Sequence, residues 1–256
     1  MGEDSVLAAY EAFAPIYNEF NHLNDYEMWV GRVLLPELEK HGLRQGRALD
    51  VGCGTGRAFA PLLRRGWEVR GCDLSPAMLE RARGEAGEQV ELSVADMREL
   101  PVLGEFELVL SLNDPVNYLL GDEDLVRAFA GMRANLADDG LLIFDCNSLS
   151  TYRSVYSTEV RDVEHGGRHW VWRGVGEVGG DPAMFESRIE GDGLEEPIGH
   201  RERFRTEAEI RDALAAAGLE PLAVLGMEEV DNKVVLSEPP EDDRHYKVIY
   251  IGAKAS

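Results

Sequence analysis

The chain has 256 residues, 44% hydrophobic, with 48 acidic side chains against 26 Lys and Arg and a formal net charge of −22. That length holds one α/β domain and one sizeable insertion, and no apolar run approaches the ~20 residues that a membrane-spanning helix needs. A surface of this sign repels phosphate backbones, which counts against a nucleic-acid partner.

The start, Met1-Gly2-Glu3-Asp4, is acidic and lacks the basic n-region of a signal peptide. A cytoplasmic protein with no membrane partner is expected, and its oligomeric state is not legible. Cys53, Cys72 and Cys146 show no paired spacing and read as reduced thiols, not as a disulfide or zinc framework.

Residues 1–41 carry helical periodicity. Tyr10, Phe13, Ala14 and Tyr17 recur at three- and four-residue steps, and Trp29, Val33, Leu34 and Leu35 continue the stripe to Pro36. This segment is expected to be a helical cover over the ligand entrance. His22, Asp25 and Glu27 have the spacing of a solvated helix junction, so no metal site is expected.

From Arg47 strand and helix alternate. Strands are expected near 48–52, 68–72, 90–94, 106–111 and 140–145, and helices near 57–65, 76–85 and 122–137, with Asp139-Gly140 as the stop before the fifth strand. Such alternation implies a doubly wound, mostly parallel sheet.

Residues 150–205 break that rhythm with Gly-Gly pairs and short alternating runs, which predict a small antiparallel insertion. Thr206 to Glu209 has the form of a capping box that opens a helix to about Ala217. Strands near 220–226 and 245–252 then complete a seven-stranded sheet as an antiparallel pair. Four segments follow: a cover over 1–41, an α/β core over 42–149, an insertion over 150–205 and the rest of the core over 206–256.

The most informative run is Ala48-Leu49-Asp50-Val51-Gly52-Cys53-Gly54-Thr55-Gly56. It reads as a buried strand, a glycine turn and a helix beginning near Arg57. Glycine lets the backbone take positive φ and approach a ligand closely. A second apolar strand ends at Asp73, at the place where a carboxylate accepts both hydroxyls of a ribose. An acid at Asp50 would repel a pyrophosphate but suits a cationic amino-acid end. Adenosine joined to such an end is S-adenosylmethionine.

These segments resemble the class I S-adenosylmethionine-dependent methyltransferases, from about residue 10 to the end. The glycine run is similar to that family's first motif, GCDLSPAML to its acidic second and VADMREL to its third, while FELVLSLND and GLLIFDCN are similar to its fourth and fifth strand motifs. The resemblance implies that Gly52, Cys53 and Gly54 cradle the methionine end with Asp50 and that Asp73 holds the ribose. Leu74 and Met78 would flank the adenine, with Asp96 and Met97 reading it. Ser111, Leu112 and Asn113 would lie under the methionine segment, with Tyr10 and Tyr17 closing from above, and Arg32 is a candidate partner of the methionine carboxylate.

The fourth-strand end, Asn113-Asp114-Pro115-Val116-Asn117-Tyr118, departs from the N/D-P-P-Y/F tetrad of nucleic-acid amino methyltransferases. It resembles instead the D-x-x-N-Y stretch of small-molecule members, among which sugar and amino-acid amine methyltransferases are most similar. The expected reaction is methyl transfer from S-adenosylmethionine to a nitrogen or oxygen of a small molecule. Asn117, Tyr118, Asn147, Trp170 and Trp172 are the expected acceptor contacts, with Tyr156 and Phe185 adding aromatic area. His200 and Asp114 are the candidate catalytic groups, His200 as a base near neutral pH. A nucleic-acid methyltransferase and a non-catalytic binding module remain as alternatives. An NAD-dependent oxidoreductase is disfavoured by the loop spacing.

Overall fold

A computed structural model describes residues 4–154, 160–179, 183–231 and 233–255. Five parallel strands come first: β1 (Arg47–Val51), β2 (Glu68–Asp73), β3 (Glu91–Val94), β4 (Phe106–Ser111) and β5 (Leu136–Asn147). A separate four-stranded antiparallel sheet follows: β6 (Val160–His165), β7 (Arg168–Gly179), β8 (Met184–Gly191) and β9 (Ile198–Arg203). The chain then returns to the first sheet as β10 (Leu219–Val230), β11 (Lys233–Ser237) and β12 (Lys247–Lys254). That sheet runs β11-β10-β12-β5-β4-β1-β2-β3. Residue 156, one of the expected aromatic contacts, lies outside the described residues.

The large sheet has eight strands where seven were expected. The extra one, β11, forms an edge hairpin with β10 from Gly226↔Ser237 to Val230↔Lys233. Asp231 turns the chain with φ 51°, a conformation Asp tolerates in tight hairpins. β12 lies between β10 and β5 and is antiparallel to both.

Two helices also depart from expectation. The helix after the glycine loop spans only Ala60–Leu63, flanked by turns over 57–59 and 64–66, the second closed by i→i−3 bonds from Arg65 N to Leu62 O and from Gly66 N to Leu63 O. The helix expected to reach 137 ends at Ala134. Buried Asn135 stops it: the side chain accepts from Leu103 N at 2.6 Å and donates to the carbonyls of Pro101 and Gly131, both at 2.9 Å. β5 therefore starts at Leu136.

Both faces of the large sheet are covered. Leu141 and Ile143 of β5 pack with Trp29, Leu34 and Leu62 on one face. Leu142 and Phe144 pack with Phe129, Met132 and Leu214 on the other, the period-two alternation of a sheet buried on both sides.

The N-terminal segment comprises a helix over Asp4–Phe13, a turn over Tyr17–Phe20, a π-helical stretch over Glu27–Leu34 and a helix over Leu35–Lys40. Phe13, Ile16 and Phe20 join it to Trp170, Ile189 and Ile198 of the small sheet. Among the described residues no helix is long and apolar enough to cross a membrane.

Candidate active site

The carboxyl ends of β1, β2, β3 and β4 open into one cavity of about 330 Å³, closed from above by the N-terminal helix and from the side by β9. Gly52, Gly54, Asp73, Leu74, Asp96, Met97, Leu112, Asn113, Tyr118, Tyr10, Tyr17 and His200 all line it. Residues more than a hundred positions apart thus share one wall, since strand ends in a doubly wound sheet collect on one edge.

Gly52 has φ +74°, and a Cβ there would meet Pro115 at 3.1 Å; Gly54 has φ +54° with open space where a Cβ would stand. Gly54 N donates to Asp73 Oδ2 at 2.8 Å and Ser75 N to Oδ1 at 2.9 Å. These bonds fix the carboxylate while leaving acceptor capacity toward the cavity. Burial pushes the Asp73 carboxyl up, and the backbone donors oppose that shift.

Asp50 lies beneath the loop, 1% exposed, and among the described residues neither of its oxygens has a hydrogen-bond partner. Burial, with Asp73 second, pushes its carboxyl up to about 8. Asp96 faces the cavity but already accepts from the Arg98 guanidinium at 3.0 Å and from Arg98 N at 2.9 Å, which hold its carboxyl low against the effect of burial.

His200 stands in β9 opposite Ser187, 5% exposed. Its Nδ1 lies 3.0 Å from the Tyr118 hydroxyl, and Nε2 has no partner among the described residues. The rings of Tyr10 and Phe13 stand edge-on at 5.6 and 5.7 Å. Burial pushes its imidazole down to about 4, so it is neutral at pH 7 and a weak base. Tyr10 and Tyr17 are likewise pushed up by burial and stay protonated.

Other expected residues lie off the cavity wall. Met78 is wholly buried with Ala9, Phe13 and Trp170, because its helical position faces the N-terminal helix and not the ligand space. Cys53 points into the core beneath the sheet, where burial pushes its thiol well up. Ser111 is fully buried below the strand end, and Arg32 is exposed outside the cavity. Trp170 is wholly buried, donating from Nε1 to Asp192 O at 2.8 Å, and Trp172 packs between its cluster and that of Tyr152 and Phe185.

Asn117 and Asn147 belong to a buried network. Asn117 Nδ2 donates to Arg203 O at 2.9 Å, Asn147 N donates to Asn117 Oδ1 at 3.0 Å, and Asn147 Nδ2 donates to Glu202 Oε2 at 3.0 Å. Asp114, with φ 62°, is not on the cavity wall, where its neighbours Asn113 and Pro115 stand, and it pairs with Lys247 Nζ at 2.5 Å. Lys247 also pairs with Asp145 at 3.1 Å. Burial pushes Asp114 up to about 7; Lys247 opposes the shift, and Glu202 and Asp145 add to it.

Sequence reasoning missed the residues that fasten the cover. Glu11 accepts from Ser75 Oγ at 2.5 Å and from Ala77 N at 3.0 Å, Asn18 accepts from Thr55 Oγ1 at 2.7 Å, and Arg57 donates to the carbonyls of Asn21 and Asn24 at 2.7 Å. Arg57, directly after the glycine loop, was the available signal; Glu11 had none. The basic run Arg201, Arg203, Arg205 is structural in its last two members. Both are buried on Asp122 and on carbonyls of the 119–121 turn.

Residues 48–140 match the family described as "Methyltransferase domain". A malonyl-[acyl-carrier protein] O-methyltransferase of Geobacter sulfurreducens is 31% identical over 206 residues, 77% of this chain and 64% of that protein. The chain spans 56% to 64% of the length of the first curated relatives it matches. Among solved structures, an S-adenosylmethionine-dependent methyltransferase from Clostridium acetobutylicum superposes with a TM-score of 0.77 at 22% identity, over 96% of this chain and 99% of that one. The sugar N-methyltransferase KedS8 from Streptoalloteichus superposes with a TM-score of 0.68 at 21% identity, over 95% and 93%. Residues 48–140 are thus a methyltransferase domain, and the chain is built on the fold of the S-adenosylmethionine-dependent methyltransferases.

Proposed function

We propose that the protein transfers a methyl group from S-adenosylmethionine to a nitrogen of a small-molecule acceptor. One observation carries the reading: the glycine loop, Asp73 and Asp96 meet Tyr10, Tyr17 and His200 around a single cavity. The residues fit the donor's charge pattern. Asp50, unpartnered and buried beside the loop, suits an ammonium, and Asp73 has acceptor capacity for ribose hydroxyls. When bound, the donor supplies a sulfonium-activated methyl carbon for in-line displacement.

The chain's own work is then binding, alignment and exclusion of water. Tyr10 and Tyr17 seal the cavity beneath the N-terminal helix. Nitrogen is favoured over oxygen by His200. A hydroxyl acceptor needs a base matched to the working pH, and an imidazole held down to about 4 is a poor one. A neutral amine attacks without prior deprotonation and can release its proton afterwards.

The test is a set of paired acceptors, each amine with its hydroxyl isostere, incubated with S-adenosylmethionine and read by mass spectrometry. Methylated amine and an equal amount of S-adenosylhomocysteine are expected. Methyl ethers alone would overturn the nitrogen assignment. Donor binding without turnover across the set would favour the binding-module alternative.

A further inference from the structure

Arg161 has no hydrogen bond and no ion pair among the described residues, in a chain that carries 48 acids to 26 Lys and Arg. Its guanidinium sits over two rings, 5.8 Å from the Phe20 centroid and 6.0 Å from that of Trp172. Trp172 is its cross-strand partner in the β6–β7 register. Along β6 alternate residues face alternate sides. Arg161 shares the inner face with buried Val163, whereas Asp162 and Glu164 are exposed on the outer face and Asp162 is taken by His169 Nε2 at 3.0 Å. The cross-strand register carries this inner face from Arg161 through Trp172, Ile189 and Ile198 to β9, where His200 two residues on lines the cavity.

A partly buried guanidinium without a counter-charge is costly unless something supplies one. Burial alone lowers the Arg161 guanidinium, with no charged group offsetting it. The neighbouring cation Arg168 shows the contrast: it lies 4.9 Å over Trp170 but is bound by Glu19 at 2.8 Å. The aromatic seat holds the planar group while leaving its N–H edges unused, which is how a guanidinium is presented to a bidentate oxyanion.

We propose that Arg161, seated on Phe20 and Trp172, anchors an oxyanion subsite that receives a carboxylate or phosphate group of the acceptor. The acceptor assignment rests on the methyl-transfer reading above; the anion site does not. A local unpaired cation would also let an anionic acceptor dwell on a surface whose overall charge repels it.

Inorganic phosphate and acetate, titrated separately at constant ionic strength and followed by tryptophan fluorescence, test the subsite in the full chain. Saturable binding of either probe is expected, weakened about ten-fold or more in Arg161→Gln, the scale of one lost charge-assisted contact. Whichever probe binds identifies the anion. Arg161→Lys, which keeps the charge but not the fork, should bind in between, and thermal melts check that both variants fold.

Absence of saturable binding, or equal binding by wild type and Arg161→Gln, would overturn the proposal. S-adenosylhomocysteine titrated into the same samples reads the donor site separately, so an anion site without donor binding would sink the methyl-transfer reading and leave the subsite standing. With acidic amines and their neutral amides as acceptors, Arg161→Gln should raise KM about ten-fold for the acidic member only, at unchanged kcat. An equal rise for both would detach the subsite from the acceptor.

Discussion

Asp50, buried beneath the glycine loop, and His200, on the cavity wall, are each shifted toward the neutral form, with opposite consequences for pH. The Asp50 carboxyl stands at about 8 in the folded chain, against an unfolded value of about 3.9. The folded state therefore keeps a proton that the unfolded state has lost. That contribution to stability is fully present below about pH 4 and lost as pH rises through 8. A ligand ammonium placed against Asp50 would expel this proton. S-adenosylhomocysteine should thus bind more tightly from about pH 6.5 to 8.5. Its calorimetric heat should differ between Tris and phosphate buffers by close to one proton's ionisation, and Asp50→Asn should abolish the difference. Equal heats in both buffers would contradict an ionising Asp50.

His200 runs the other way. Its folded value of about 4 lies below the unfolded value of about 6.5. The contribution is present above pH 6.5 and is lost as pH falls through 4, a change of roughly 3 kcal/mol at about 1.4 per unit. His200→Leu should lose less of its melting temperature than wild type between about pH 7 and pH 4.5. The same variant should keep amine methylation within about ten-fold of wild type, since a group that is no strong base has little base catalysis to lose. A fall of a hundred-fold or more would restore His200 as the base.

At the scale of elements, hydrogen bonds from Glu11 tie the N-terminal helix to the edge of the large sheet. Glu11 accepts from Ser75 Oγ and from Ala77 N, reaching from the N-terminal helix to the start of the helix Pro76–Ala86 that follows Asp73. Glu11→Ala should weaken S-adenosylhomocysteine binding by about 1–3 kcal/mol, the range for hydrogen bonds to a charged group. It should also speed amide exchange over residues 8–30 in the bound state. Unchanged exchange would mean that the cover is held by Phe13 and Phe20 packing alone.

The parallel strands were legible because strand and helix alternate and each strand holds apolar residues, Ala48-Leu49 in β1, Val69 in β2, Leu92 in β3, Leu108 to Leu110 in β4 and Leu141 to Phe144 in β5. The antiparallel sheet was legible because alternation is local. The short helix after the glycine loop was not, because turns and helices share one apolar pattern, and here the flanks 57–59 and 64–66 are turns. β11 was hidden in five residues that need β10 as a template.

The site divides in the same way. Gly52, Gly54, Asp73 and Asn113 sit in local motifs and all line the cavity. Asn117 was assigned to the acceptor on its motif, Asn147 on its strand end and Trp170 on its aromatic area. Their polar partners lie 22 to 86 residues away, and no spacing rule reaches that far. Asn135, unremarkable in the sequence, closes three backbone bonds, so Asn135→Ala should cost about 2–3 kcal/mol in a thermal or denaturant melt.

For the whole molecule, the net charge of −22 sets the background. Its self-repulsion opposes the compact state and is screened by salt. The melting temperature should rise between about 20 mM and 500 mM KCl, and a fall would mean that surface ion pairs outweigh repulsion. The same field disfavours polyanions, and the buried placement of Arg203 and Arg205 removes two members of the run that could have formed a basic patch.

The central claim is that the glycine loop and Asp73 hold an adenosyl amino acid. Calorimetric titration of S-adenosylhomocysteine into wild type and Asp73→Ala, with NAD as the control ligand, tests it most directly. One site per chain is expected in wild type, with affinity lower by about 1–3 kcal/mol in the variant and no heat with NAD. Equal affinity in the two proteins, or saturable binding of NAD at the same site, would contradict it.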